Sequence, residues 1–193
     1  MESHKKIMRI ISGKFKGKRM SYTNSPITRP LRDYVKENIF NIITHGKKTK
    51  INLYNANILD LYSGVGSFGI ECLSRNAGKV VFIEKDPLAF SILKRNVKDL
   101  KMTNKAELLS EDINYYIEKV KVEKKFDLIF LDPPYKNISY LEIINTIKKK
   151  KIFSKNHKII IHREKKYEEE LNKILEINLI KNYGRSTIIF GSF

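Results

Sequence analysis

Cysteines and long apolar segments are scarce in this chain of 193 residues. The single cysteine, Cys72, excludes an internal disulfide framework and favours a reducing cytoplasm as the location. No apolar run approaches the roughly eighteen residues of a membrane span, and the basic N-terminus lacks the apolar segment of a secretory signal. The histidines and the cysteine show no metal-ligand spacing, so no metal is expected. These absences predict a cytoplasmic protein without membrane contact.

Acidic residues are also few relative to basic ones. The sequence has 21 Asp and Glu against 38 Lys and Arg, a net charge of +17. This surplus predicts attraction to polyanions, with nucleic acid the first candidate and an anionic membrane surface the second. The alternative is a lysine-rich proteome. The cluster at residues 148–151 is interpreted as a solvated helix end, whereas the N-terminal basic residues alternate over a longer stretch: Lys5, Lys6, Arg9, Lys14, Lys16, Lys18 and Arg19.

The first fifty residues have short elements that differ from the rest of the chain. Residues 7–20 predict a β-hairpin with turns at Gly13 and Gly17. Residues 31–45 have helical spacing that stops at Gly46. We therefore predict an N-terminal extension at 1–48 and a main domain at 49–193.

The main domain has the pattern of an α/β fold. Its apolar runs do not alternate between apolar and polar residues, and segments of helical spacing separate them. Such runs are typical of parallel strands that are buried on both faces. The C-terminus instead predicts a hairpin of two strands joined near residues 182–184. The predicted parallel strands are residues 58–62, 79–84, 106–110, 126–132 and 157–162.

A glycine-rich loop follows the first of these strands. Gly64, Gly66 and Gly69 form the pattern G-x-G-x-x-G between a predicted strand and a predicted helix. Glycines permit a tight turn and let a ligand approach the main chain closely. Glu84 ends the second strand twenty positions after Gly64, where a carboxylate can accept hydrogen bonds from a ribose. The loop therefore predicts a nucleoside-containing cofactor, with a solvated strand end as the alternative for Glu84.

The charges near this loop distinguish two classes of cofactor. A dinucleotide would place an anionic pyrophosphate close to Asp60, in the first strand. S-adenosylmethionine instead has an ammonium and a sulfonium, which an acid stabilises in a partly buried cleft. Asp112, after the third strand, can accept from an adenine amino group. Charge favours S-adenosylmethionine; the alternative, an NAD-dependent oxidoreductase, predicts thermal stabilisation by NAD and none by S-adenosylhomocysteine.

The fourth strand ends in the sequence D-P-P-Y. Its acid, Asp132, is expected to face the same crevice as the glycine loop. A carboxylate and a backbone carbonyl can each accept one N–H bond from an exocyclic amine, which frees the nitrogen lone pair for attack. Pro133 and Pro134 restrict the backbone and present carbonyls, and Tyr135 offers a flat face for an unpaired base. The alternative is an ordinary turn with proline as a strand breaker.

These motifs together resemble the class I S-adenosylmethionine-dependent amino-methyltransferases, whose signature is Asp or Asn, two prolines and an aromatic residue. More closely, nearly the whole chain is similar to the RsmD family of small-subunit ribosomal RNA guanine-N2 methyltransferases. The family has R-P-T where this sequence has Arg29-Pro30-Leu31. The similar blocks are MRIISGKFKGKRM, TRPLRDYVKENIFNII, LDLYSGVGSFGIECLSR, VVFIEKD, FDLIFLDPPY and YGRSTIIF.

The resemblance implies a fold, a substrate and roles for individual residues. The fold would be Rossmann-like, a mostly parallel seven-stranded sheet with an antiparallel C-terminal hairpin. The substrate would be one guanine of bacterial 16S ribosomal RNA within a small-subunit assembly particle, and the protein would act as a monomer. Asp132, Pro133, Pro134 and Tyr135 would hold the target amine. The cofactor would contact Arg29, Asp60, Tyr62, Ser63, Gly64, Gly66, Glu84, Lys85, Asp112 and Ile113.

The basic hairpin then gains a role in substrate binding. Phosphate contacts would position the RNA beside the crevice and make its binding salt-dependent. The residues that would make these contacts are Arg9, Lys14, Lys16, Lys18, Arg19 and Arg32.

Three other functions stay open at this point. N6-adenine methylation of RNA or DNA uses the same D-P-P-Y chemistry. A protein-glutamine methyltransferase is disfavoured, because Asn is usual at the position of Asp132 and because this chain has a basic hairpin. A non-catalytic RNA-binding module would bind RNA without the cofactor. A covalent cytosine-C5 mechanism is disfavoured, since Cys72 lacks a preceding proline and lies away from D-P-P-Y in the sequence.

Overall fold

Strands and helices alternate along most of the chain. The computed structural model describes residues 8–22, 31–121, 123, 125–134, 139–164 and 168–193. The helices in these ranges are α1 Asp33–His45, α2 Ser67–Ser74, α3 Pro87–Asp99, α4 Ile113–Lys119, α5 Tyr140–Lys150 and α6 Glu168–Leu171. The strands are β1 Met8–Arg9, β2 Arg19–Met20, β3 Asn57–Leu61, β4 Lys79–Ile83, β5 Ala106–Leu109, β6 Phe126–Leu131, β7 Phe153–Glu164, β8 Glu176–Tyr183 and β9 Ser186–Ser192. None of these helices is long and apolar enough to span a membrane.

Seven strands form one sheet in the order β5-β4-β3-β6-β7-β9-β8. Neighbours from β5 to β7 pair in parallel, and β9 runs antiparallel to both β7 and β8. The predicted α/β sheet and its C-terminal hairpin are therefore confirmed. The chain leaves β3 towards β4 and β5 and then returns to β6 on the other side. Ligands of such sheets bind where the strand order reverses, outside the carboxyl ends of the strands.

Helices cover both faces of this sheet, which explains the absence of alternation in the strands. One face packs against the β1–β2 hairpin, α1, α2 and α3, and the other packs against α4, α5 and α6. On the first face, the rings of Phe40, Phe68 and Phe130 stack with centroid distances of 5.2 and 3.9 Å. This stack fixes α1 over α2 and the end of β6. Strand β7 begins before its predicted start, because the polar residues 154–156 give no apolar signal.

The N-terminal hairpin is docked on α2 through a buried acid. Glu71 is fully buried, and its two carboxylate oxygens accept hydrogen bonds from the backbone N–H groups of Ile11 and Ser12, at 2.8 and 2.9 Å. At the end of the same helix, the Ser74 carbonyl accepts from the Lys14 N–H at 2.8 Å. The predicted hairpin is thus present, and its backbone is held by side chains and carbonyls of the main domain.

A buried lysine joins the hairpin to two helices. The Lys36 Nζ donates to the Arg9 carbonyl at 2.9 Å and to the Ser67 hydroxyl at 3.4 Å, and it lies 3.9 Å from the Glu71 carboxylate. Burial lowers the pKa of Lys36, and the Glu71 and Asp33 carboxylates oppose this effect. An unpaired buried charge is costly, so the loss of either Lys36 or Glu71 would destabilise the fold.

Candidate active site

The glycine loop connects β3 to α2 at the carboxyl edge of the sheet. Gly64 has a φ of +54°, and no heavy atom lies within 4 Å of the position that a Cβ would occupy. The backbone is therefore open on that side, as close contact with a ligand requires. Gly66 precedes α2 with a φ of +90°, and its N–H donates to the Ser63 carbonyl at 2.8 Å. The Ser63 N–H and hydroxyl both donate to the Ile83 carbonyl, which ties the loop to β4.

Asp60 lies buried beneath this loop. Its Oδ2 accepts from the Gly69 N–H at 2.9 Å, while Oδ1 is buried without a hydrogen-bond partner among the described residues. Burial raises the pKa of Asp60 well above its usual value; the Gly69 hydrogen bond opposes this, and the nearby Asp132 and Glu84 carboxylates add to it. A buried acid with a free oxygen fits a cationic ligand, since a cation would compensate for the lost solvation.

Glu84 supports the loop from the end of β4. One carboxylate oxygen accepts from the Gly64 N–H at 2.7 Å, and the other accepts from the Asp86 N–H at 2.8 Å. Burial raises the pKa of Glu84, although these two hydrogen bonds oppose the shift. The twenty positions between Gly64 and Glu84 thus bring the Glu84 carboxylate to the Gly64 N–H. Glu84 orders the glycine loop and also lines the cavity beside it.

The acid after β5 has a structural role as well. Asp112 caps α4, because its Oδ1 accepts from the Asn114 N–H at 2.9 Å. Its Oδ2 lies 3.5 Å from the Lys85 Nζ, and both side chains are largely exposed. Ile113 begins α4 and is buried. The three residues line one wall of the cavity, with one oxygen of Asp112 already used by the helix cap.

Asp132 follows β6 directly and is held by a histidine from the adjacent strand. The His162 Nδ1 lies 2.8 Å from Asp132 Oδ1, and the two side chains are 10% and 23% exposed. Burial lowers the pKa of His162, but the charge of Asp132 and its hydrogen bond outweigh this, so the pKa is raised. One carboxylate oxygen is thereby fixed, and Oδ2 is left to meet a substrate.

The second proline presents a carbonyl that is already engaged. Arg163 is 1% exposed, and its Nη1 donates to the Pro134 carbonyl at 2.9 Å while its guanidinium lies 4.4 Å from the centre of the Tyr140 ring. A target amine would therefore compete with Arg163 for the Pro134 carbonyl. Of the two, the Pro133 carbonyl is the candidate acceptor for a target amine.

His162 and Arg163 did not stand out in the sequence, although a usable signal was present. The parallel register pairs Leu131 of β6 with Ile161 of β7. The residues that follow this pair, Asp132 and His162, must then lie side by side at the carboxyl edge. Aligning the ends of the predicted strands would have brought them together.

A cavity of about 1410 Å³ opens at this edge of the sheet. It collects predicted residues from several separate segments, and Gly66 lies immediately behind its wall. Arg29 and Tyr135, which were also predicted here, lie outside the described residues. The predicted residues that line the cavity are Arg32, Asp60, Tyr62, Ser63, Gly64, Glu84, Lys85, Asp112, Ile113, Asp132, Pro133 and Pro134.

Apart from Arg32, the predicted RNA-contacting residues lie on the hairpin, which extends away from this cavity. Arg9 is 64% exposed and lies 3.3 Å from Asp33 in the first turn of α1, close to the mouth. Lys14 and Lys18 lie at the other end of the hairpin, each within 6 Å of the Phe15 ring. Because this end is bonded to the last residue of α2, it lies roughly 10 Å from the glycine loop. Lys16 and Arg19 are exposed on the same hairpin.

The described residues contain no group of three or more His, Cys, Asp or Glu side chains that could hold a metal ion. Cys72 is buried in α2, on the side of the sheet that packs against the hairpin. Carboxylates, a histidine, tyrosines and basic side chains line the cavity.

Comparisons with known proteins agree with this arrangement. The family described as Conserved hypothetical protein 95 matches residues 8–192. A relative from Buchnera aphidicola, Ribosomal RNA small subunit methyltransferase D, is 34% identical over 157 residues, which are 81% of this chain and 78% of that protein. A putative methyltransferase from Escherichia coli, yhhF, has a TM-score of 0.79 at 23% identity and covers 96% of this chain and 97% of its own.

A more distant structure is SMU.776, a putative methyltransferase complexed with SAH. It has a TM-score of 0.65 at 13% identity, over 83% of this chain and 48% of its own. At that identity it shows a shared fold and no more. The family match spans nearly the whole chain and the Buchnera relative exceeds 30% identity over four fifths of it, so this chain belongs to the RsmD family of ribosomal RNA methyltransferases.

Proposed function

We propose that this protein methylates the exocyclic N2 amine of one guanine in 16S ribosomal RNA, with S-adenosylmethionine as the methyl donor. The observation that supports this proposal most strongly is the position of Asp132. One of its oxygens is fixed by His162, and its carboxylate is close enough to the buried Asp60 to influence that residue's pKa. An acceptor for an amine and a site for a cation therefore lie in one cavity. Relatives named ribosomal RNA methyltransferases support the reaction class.

The residues around the glycine loop fit the proposed donor. The unpaired oxygen of Asp60 suits a cationic group, the open backbone at Gly64 admits a ligand, and the Glu84 carboxylate can accept from ribose hydroxyls. Asp112 and Ile113 would lie against the adenine. When bound, S-adenosylmethionine supplies an electrophilic methyl group on a sulfonium. The ribosomal RNA methyltransferases among the relatives support a methyl donor over NAD.

The chain's own groups would prepare the amine for attack. Its lone pair is delocalised into the guanine ring, which makes it a poor nucleophile. If Asp132 Oδ2 and the Pro133 carbonyl each accept one N–H bond, the nitrogen approaches tetrahedral geometry and the lone pair becomes available. Methylation leaves one surplus proton on the nitrogen. Asp132 Oδ2 is placed to accept this proton and release it to solvent.

The basic surface supports an RNA substrate. The hairpin, Arg32 and the mouth of the cavity lie on one side of the protein, so phosphates could be held while an unpaired base enters. We propose that the protein acts in the cytoplasm, as a monomer, on an assembling small-subunit particle. Within this scheme, residues 1–48 bind RNA and cover the cofactor, and residues 49–193 carry the reaction.

The proposal is tested by nucleoside mapping of ribosomal RNA from cells with and without this protein. Digestion and mass spectrometry should detect the loss of one N2-methylguanosine from 16S RNA in the deleted strain, and a plasmid copy should restore it. Loss of an N6-methyladenosine instead would favour the adenine alternative, which uses the same D-P-P chemistry. An unchanged set of modified nucleosides would contradict both.

A further inference from the structure

Two tyrosines form a contact at the mouth of the cavity. Tyr34, in the first turn of α1, and Tyr183, at the end of β8, have ring centroids 6.0 Å apart and an interplanar angle of 67°. Both rings line the cavity that contains Asp132. Tyr34 is 47% exposed. A pair that served packing alone would gain more from full burial, so the exposed aromatic surface is available to a ligand.

The pair of Tyr34 and Tyr183 lies away from Asp132, where the target amine would bind. Strand β8 lies three strand intervals from β6, the strand that leads to Asp132, a distance of about 14 Å at the usual spacing. This separation of the strands favours a nucleotide other than the target guanine as the partner of Tyr183. The tyrosines are instead within reach of a neighbouring nucleotide of the same RNA strand.

Positive charge surrounds the same surface. Arg185 lies in the turn between β8 and β9, Arg32 precedes α1, and both are exposed side chains that line the cavity. Every base in RNA is flanked by phosphates, so two aromatic rings and two arginines that line one cavity match the chemistry of one unpaired nucleotide. Aromatic rings bind any base through stacking, and arginines supply the phosphate contact.

We propose that Tyr34, Tyr183 and Arg185 bind an unpaired nucleotide next to the target guanine in single-stranded RNA. This inference rests on the proposed function, and it adds a second contact that holds the RNA strand at the mouth of the cavity, beyond the phosphate contacts of the hairpin. The tyrosine pair supplies the stacking face, and Arg185 holds the adjoining phosphate.

The test compares aromatic and aliphatic replacements in steady-state methylation of 16S RNA within small-subunit particles from a strain that lacks this protein. Tyr34→Leu and Tyr183→Leu should each raise the KM for RNA, by roughly five- to a hundred-fold, with kcat and the affinity for S-adenosylhomocysteine unchanged. Tyr34→Phe and Tyr183→Phe should stay within about two-fold of the wild type, because the ring is retained. Arg185→Gln should reduce the slope of log Kd against log salt by about one, which the Leu variants should not do.

A matched control is Tyr54→Leu, because Tyr54 is 67% exposed and precedes β3 at the opposite edge of the sheet. Its KM should equal that of the wild type. A wild-type KM in both Tyr34→Leu and Tyr183→Leu would overturn the inference while RNA methylation by the wild type still stood. If Tyr183→Leu fails to fold, the KM of Tyr34→Leu alone tests the inference, because the Tyr34 ring is half exposed. Failure of the wild type to methylate any RNA would refute the proposed function instead.

Discussion

His162 Nδ1 lies 2.8 Å from Asp132 Oδ1, and this contact joins the ends of two neighbouring parallel strands at the cavity. The histidine fixes the orientation of the carboxylate, which in the proposed reaction must present its other oxygen to the amine. His162 acts through Asp132 and is a positioning residue in this scheme.

Replacing His162 should therefore lower kcat more than it changes binding. His162→Phe removes the donor and should reduce kcat by about 10- to 100-fold, the effect of one hydrogen bond to a charged group. The affinities for RNA and S-adenosylhomocysteine should stay near the wild-type values. His162→Asn keeps a donor at a similar position and should recover most of the rate. Equal rates in the Phe and Asn variants would contradict the positioning role.

The same pair should make stability depend on pH. Because the pKa of His162 is raised in the folded protein, its charged contact with Asp132 contributes fully below pH 6.5, the usual pKa of histidine. That contribution is lost as the pH rises through the folded pKa. The free energy of unfolding, from urea titrations, should thus fall over this range in the wild type and fall less in His162→Asn. Parallel profiles would show that the pair is not charged.

Binding of the cofactor product should release a proton from Asp60. The pKa of this buried acid is raised well above its usual value, and a cationic amino group near Oδ1 would favour its ionised form. Calorimetry with S-adenosylhomocysteine in buffers of different ionisation enthalpy should detect the release, which should grow as the pH falls towards the folded pKa. Asp60→Asn should abolish it. Undiminished release in the variant would assign the proton to another group, such as Glu84.

Docking of the hairpin should depend on one of its two turn glycines far more than on the other. Gly13 and Gly17 both have positive φ, at +84° and +80°, but only at Gly13 would a Cβ meet an atom, the Ser74 carbonyl oxygen at 2.0 Å. Gly17→Ala should cost about 1–2 kcal/mol of stability from backbone strain alone. Gly13→Ala should cost more, expose the Ile11 and Ser12 amides to hydrogen exchange and weaken RNA binding. Equal effects of the two changes would contradict the docking geometry.

Removal of charge from the hairpin should weaken RNA binding and its dependence on salt. Lys14, Lys16 and Lys18 replaced by Gln should reduce the slope of log Kd against log salt by up to about three. The control is the same replacement at residues 148–150 of α5, which lies on the opposite face of the sheet. If the α5 variant showed the larger reduction in this slope, the RNA-binding surface would lie on that other face.

Much of the fold could be predicted because its determinants are local in sequence. Apolar runs indicated the parallel strands, and the pattern around Gly64 indicated the loop between β3 and α2. The pairing of Asp132 with His162 depends on the register of β6 and β7, and in the sequence only the alignment of the two predicted strand ends indicates it. Lys36 and Glu71 are both buried, and no local pattern marks them as such, because the distant hairpin covers them. Charged residues become buried pairs through contacts between distant segments, so composition alone could not identify them.

The most direct test of the account is the identity of the methylated nucleoside. Purified protein would be incubated with S-adenosylmethionine that carries an isotopically labelled methyl group and with small-subunit particles from a strain that lacks this protein, and their 16S RNA would be digested and analysed by mass spectrometry. The account predicts label in N2-methylguanosine at one position, and none with Asp132→Ala although that variant still binds RNA and S-adenosylhomocysteine. Label in N6-methyladenosine, or undiminished labelling by Asp132→Ala, would contradict it.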